Sequence, residues 1–108
     1  MSVDFGRLNI NTATTAEKFS GDLAAQAVIR AATIVSSITF KAPSGNAGDV
    51  YIGRLGRDGT TATVSSSYGI TLEPGGSFSF DNIAETFSNF QGDAATSGDD
   101  IEWAAVFD

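Results

Sequence analysis

The sequence predicts an all-β domain, a sandwich or barrel, and three observations predict it. Short runs in which apolar and polar residues alternate recur along the chain. Turn-forming clusters separate them about every 8 to 14 residues, the spacing of short antiparallel strands. The 12 glycines against 2 prolines suit a turn-rich β-domain and are too scattered for a disordered chain. The 108 residues match one small domain, and no exact repeat or linker divides them.

Val3 and Phe5, then Leu8 and Ile10, alternate with polar neighbours on either side of Gly6-Arg7, which predicts a first strand with an irregularity at the glycine. Asn11 to Ala16 reads as a connection. From Glu17 to Ala32 the pattern fits a helical face or, after Gln26, a buried strand. Thr33 to Lys41 is the clearest strand, with Ile34, Ile38 and Phe40 on one face. The break from Ala42 to Gly48 is rich in turn residues. Asp49 to Arg54 then forms a short strand, with Val50 and Ile52 opposite Tyr51, and it reads as a sheet neighbour of the preceding one. Asp58-Gly59 is a favoured hairpin pair, and Pro74-Gly75 fits the centre of a type II turn. Ser77 to Asp81 places Phe78 and Phe80 on one face. Asn89 to Asp100 reads as a polar loop. The last strand sets Ile101, Trp103, Ala105 and Phe107 against Glu102, Ala104 and Val106, and its aromatic face is expected to close the core. Residues 1–32 form an N-terminal strand or arm and 33–108 the sandwich proper. Ser2 to Asn11 either adds as an edge strand to a neighbouring molecule or is the first strand of the same sandwich.

Charged residues make up 18% of the chain, below the roughly 25% of soluble domains, so Ser, Thr, Asn, Gly and Ala must form much of the surface. The formal net charge of −7 argues against nucleic acid, whose binding rests on Lys and Arg releasing counterions. It disfavours an anionic membrane surface for the same reason. With no Cys and no His, disulfides, thiolate chemistry, Cys/His zinc sites and His- or Cys-based triads are excluded. The start of the chain has no basic region followed by an apolar run, and no stretch nears the roughly 20 apolar residues of a membrane span. The expectation is a protein made in the cytoplasm.

The few constellations that point to chemistry have plainer readings beside them. Gly53, Gly56 and Gly59, with Arg54 and Arg57 between, form either an anion cradle or a bulged hairpin whose arginines face solvent or a partner. Asp93, Asp99 and Asp100 offer oxygens to calcium, but their spacing departs from the calcium loop; the plainer reading is a solvated acidic loop. Tyr51, Tyr68 and Trp103 either stack on carbohydrate or pack the core. Glu102 and Trp103 are adjacent, so they point to opposite faces. No positioned nucleophile, base or metal set can be assembled, so the chain is expected to be non-enzymatic, without cofactor or metal.

Ile38-Thr39-Phe40-Lys41-Ala42-Pro43, Gly45-Asn46-Ala47-Gly48, Val50-Tyr51-Ile52-Gly53, Gly69-Ile70-Thr71-Leu72-Glu73-Pro74-Gly75 and Ser77 to Phe80 follow one another in an order that resembles small phage virion proteins of β-sandwich or jelly-roll type. Head decoration (cement) proteins and some tail-associated modules are of this type. The resemblance covers residues 33–82, with the last strand matching loosely. It implies a jelly-roll-like sandwich on the outer surface of a phage head, bound to the major capsid protein and to itself as a homo-oligomer, commonly a trimer. A tail, baseplate or fibre-associated module is the alternative, and a carbohydrate-binding domain a third. The residues expected to meet a partner are Val3, Phe5, Leu8 and Ile10 of the N-terminal segment, with Arg54 and Arg57.

Overall fold

A computed structural model describes residues 2–19, 34–54 and 63–108. The helix-or-strand segment after Phe19, the Asp58-Gly59 turn, Gly56, Gly59 and Arg57 lie outside the described residues. Nine strands are present among those described: β1 (Ser2–Asn9), β2 (Glu17–Lys18), β3 (Ile34–Lys41), β4 (Val50–Arg54), β5 (Ile70–Leu72), β6 (Ser77–Phe80), β7 (Glu85–Thr86), β8 (Phe90–Ala94) and β9 (Asp100–Phe107). They make two antiparallel sheets packed face to face. One runs β1-β9-β3-β6, with β7 also on β3; the other runs β2-β8-β4-β5. The fold is an all-β sandwich.

The pairings are nested. β4 pairs with β5, β3 with β6 and β7, β2 with β8, and β1 with β9. Such nesting is one long hairpin, and β9–β3 and β8–β4 contacts close it where it winds across the two sheets. Two sheets wound from one ribbon in this way are a jelly roll. The fold explains why β3 and β4 are not neighbours, contrary to the expectation from their alternation: they lie in opposite sheets, and the loop 42–49 crosses between layers about 10 Å apart. The Pro74-Gly75 turn crosses back. Gly75 has φ of 88°, and Gly76 N–H donates to Glu73 O at 2.8 Å, as a type II turn requires.

β1 pairs with β9 without interruption from Ser2↔Phe107 to Asn9↔Asp100, so it is the first strand of this sandwich, and Gly6 introduces no irregularity. The bulge lies in β3 instead. Val35 pairs with Phe107 and Ser37 with Val106, which leaves Ser36 as the extra residue. Its hydroxyl donates to Val106 O at 3.1 Å, and its carbonyl accepts Ile83 N–H at 3.0 Å. The extra residue reverses the alternation: Val35 and Ile38 are both buried, while Ile34 turns outward, off the face it was expected to share with Ile38 and Phe40.

The core fills the space between the sheets. Phe40 packs its ring 4.7 Å from Phe19, 5.9 Å from Phe90 and 6.1 Å from Phe80. A second aromatic group forms around Phe87, carried on the 3-10 turn Phe87–Asn89, with Trp103 at 4.9 Å and Phe107 at 5.2 Å. Ile101, Trp103, Ala105 and Phe107 are all buried on the inner face of β9, as their alternation predicts. β9 is hydrogen-bonded on both sides, by β1 and β3.

Candidate partner-binding surface

Antiparallel partners share a face, so the register of β1, β9, β3 and β6 fixes what the first sheet shows to solvent. Phe5 stands beside Ala104, then Thr39, then Ser79; Val3 stands beside Val106, then Ser37. No charged side chain occupies these two strand rows. Phe5 is 78% and Val3 67% exposed. The hydroxyls of Thr39 and Ser79 bond to each other at 2.7 Å. The next row is charged: Arg7, Glu102 and Lys41 stand side by side, two cations and one anion, and Asp100 in the row beyond supplies the second anion. The Arg7 guanidinium donates to Glu102 at 3.1 Å and lies 3.6 Å from the Asp100 carboxylate. Its hydrogen bond with Glu102 and that carboxylate's charge raise its already high pKa. The strand rows of this face are thus uncharged at Val3 and Phe5, and beyond them Arg7 and Lys41 offset Asp100 and Glu102.

Leu8 and Ile10 do not join this surface. They are 5% and 0% exposed and face the core, so their expected role in partner contact is corrected. The cause is the switch from odd to even apolar positions between Phe5 and Leu8 in a strand without a bulge: the two pairs must point to opposite sides. Arg54 does not lie on this face but in the second sheet. It ends β4 and pairs with Glu85 at 3.3 Å, at the mouth of a cleft between the sheets of about 810 Å³. Ile52, Ile70, Phe80 and Ile83 contribute to its apolar lining, and the Tyr68 hydroxyl donates to Arg54 O at its rim. Ala104 and Val106 were not among the residues expected to meet a partner. Their signal is in the sequence, since they are apolar residues on the side of β9 that turns away from Trp103.

Of the aspartates expected in a solvated loop, Asp93 and Asp99 are buried and Asp100 is half-buried. Residues 90–94 form β8, inside the second sheet, and Asp93 is 2% exposed. Asp99, at 7%, accepts the N–H groups of Ala47 and Gly48 at 2.9 and 3.0 Å. Beside it, the Asn46 amide donates to Asp100 O at 2.8 Å and accepts Asp100 N–H at 3.1 Å. These carboxylate and amide groups fasten the inter-sheet loop to the start of β9. Among the described residues no three acidic side chains group as a metal set. Comparisons with family models, with curated proteins and with solved structures return no match.

Proposed function

We propose that the chain is a structural protein of a phage particle, a decoration protein that binds the major capsid protein on the outside of the head as a symmetric oligomer. In this reading it makes or breaks no bond, is synthesised in the host cytoplasm and ends on the virion surface. The observation that carries it is the outer sheet face, with Phe5 and Val3 exposed in rows that hold no charge. A face of this kind meets another protein without stripping ions of water. The order of motifs across residues 33–82 supports the phage reading by resemblance, and the jelly-roll winding agrees with it. That agreement is an analogy of fold, because lectins share the architecture.

The test is co-sedimentation with purified heads and, separately, with purified tails. Retention on heads, with density on the shell by cryo-electron microscopy, is the expected result. Retention on tails alone assigns the chain to a tail or baseplate module. Retention on neither removes the virion reading. The cleft beside Arg54, Glu85 and Tyr68 favours a second reading, a carbohydrate site, because its apolar lining and polar rim suit a sugar ring. A glycan array tests it, and a hit abolished by Tyr68→Ala would establish it.

A further inference from the structure

We infer that the outer face of the β1-β9-β3-β6 sheet is covered by the same face of a second copy, the two related by a two-fold axis running along the strands. The inference deepens the assembly reading and rests on it: of the two contacts that reading needs, to the capsid and to another copy, it assigns this face to the copy.

Three observations lead to a second copy. The first is charge. Each molecule carries a formal −7, so two copies repel over most of their surface. On this face the strand rows hold Arg7 and Lys41 against Asp100 and Glu102, two against two, and Asp81 and Asp108 follow the ends of β6 and β9. Here a like-charged copy approaches with little electrostatic cost.

The second is the order of side chains within a row. A two-fold along the strands reverses each row from left to right. The row Arg7, Glu102, Lys41, Ser77 then sets Glu102 against the second copy's Lys41, and Lys41 against the second copy's Glu102. The row Phe5, Ala104, Thr39, Ser79 sets each Phe5 against the other copy's Ser79 and each Ala104 against Thr39. The row is self-complementary, as an isologous interface requires.

The third is area. Three strands of eight residues and one of four, at about 3.3 Å per residue and about 4.8 Å between strands, cover about 450 Å² per copy. A pair buries about 900 Å², just under the roughly 1,000 Å² of a specific interface. The dimer is therefore weak in free solution and strengthened wherever copies are held together on a repeating lattice.

Sedimentation velocity from micromolar to millimolar protein is the test. The wild type is expected to pass from monomer to dimer with rising concentration, more readily in moderate salt, which screens the net repulsion. Phe5→Glu weakens the dimer at least about tenfold while its melting curve is unchanged, since Phe5 is exposed. Lys41→Glu and Glu102→Lys each remain monomeric alone, but mixed together they form a heterodimer, because both facing pairs are then of opposite sign. Within each chain residues 41 and 102 remain like-charged, so rescue on mixing reports only contact between copies. A wild type that stays monomeric, a trimeric mass, or a mixture that does not associate overturns the inference. A monomer that still co-sediments with heads sinks this pairing alone. A dimer that binds no virion part sinks the phage reading and leaves the pairing standing.

Discussion

Gly92 shows how closely single positions are fixed. It faces inward from β8, and a Cβ there would lie 2.6 Å from Ile101 Cδ1 and 2.9 Å from Phe19 Cζ, both in a closed core. Gly92→Ala is expected to cost about 1–3 kcal/mol by overpacking. Ile101→Val removes the methyl that is struck, so the double variant should lose less than the sum of the singles. Gly45→Ala, with nothing within 4 Å, is expected to be neutral to within about 0.5 kcal/mol. Urea denaturation of the wild type and the four variants checks both statements. Asn46 is fixed by chemistry and not by space. Its amide completes two hydrogen bonds to the backbone of Asp100, as a neighbouring strand would. Asn46→Asp keeps the shape but loses the donor and sets a third carboxylate beside Asp99 and Asp100. It is expected to cost about 2–3 kcal/mol at neutral pH, measured by the same titration.

At the scale of elements, the alternation in β9 and β4 was legible because each strand buries one face and shows the other. β8 was not. Phe90-Gln91-Gly92-Asp93-Ala94 has the composition of a loop, and all five residues are buried only because their partners lie elsewhere in the chain. Gln91, for example, accepts Val64 N–H at 3.2 Å. Alternation also says nothing about which sheet a strand joins, so β3 and β4 looked like neighbours. Of the candidate surface, Val3 and Phe5 were legible as apolar positions. Their separation from Leu8 and Ile10 was not, because a change of parity in sequence reads equally as a bulge or as a strand with two apolar faces. In β3 the bulge is real, and it is testable. Deleting Ser36 leaves Val35 opposite Phe107 and Ser37 opposite Val106 in an unbroken ladder, so Val35 stays inside and Ile34 outside. The deletion loses both bonds of Ser36, to Val106 O and from Ile83 N–H, and is expected to cost about 2 kcal/mol, against about 1 kcal/mol for Ser36→Ala, which loses only the first. Denaturation midpoints compare the two, and methyl contacts of Ile34 and Val35 by NMR report which residue faces inward.

For the whole molecule, the nested pairings imply an order of assembly. β4 and β5 enclose the shortest loop of the nest, from Ile52↔Ile70, and β1 and β9 the longest, from Ser2↔Phe107. Loop closure costs entropy that grows with the logarithm of the loop, so bringing Leu8 to Ile101 directly costs about 1.5 kcal/mol more than bringing Ile52 to Ile70. Once the inner pairs are in place, each outer pair closes only a short extra length, so the ribbon closes from β4–β5 outward and β1 docks last. The transition state should then contain the inner pairs and lack β1. Ile52 and Leu8 are both buried, and either one changed to Ala is expected to cost about 2–5 kcal/mol, enough for kinetic analysis. Ile52→Ala is expected to act mainly on the folding rate, with a φ-value above about 0.5, and Leu8→Ala mainly on unfolding, with a φ-value near zero. Stopped-flow chevrons measure both, in the millisecond-to-second range expected of a fold built from distant pairings. The reverse pattern would place the β1–β9 pair in the nucleus. Docking last also makes β1 the strand whose loss most easily uncovers β9, so the face that carries Phe5 would be the last part of the molecule to become competent for contact.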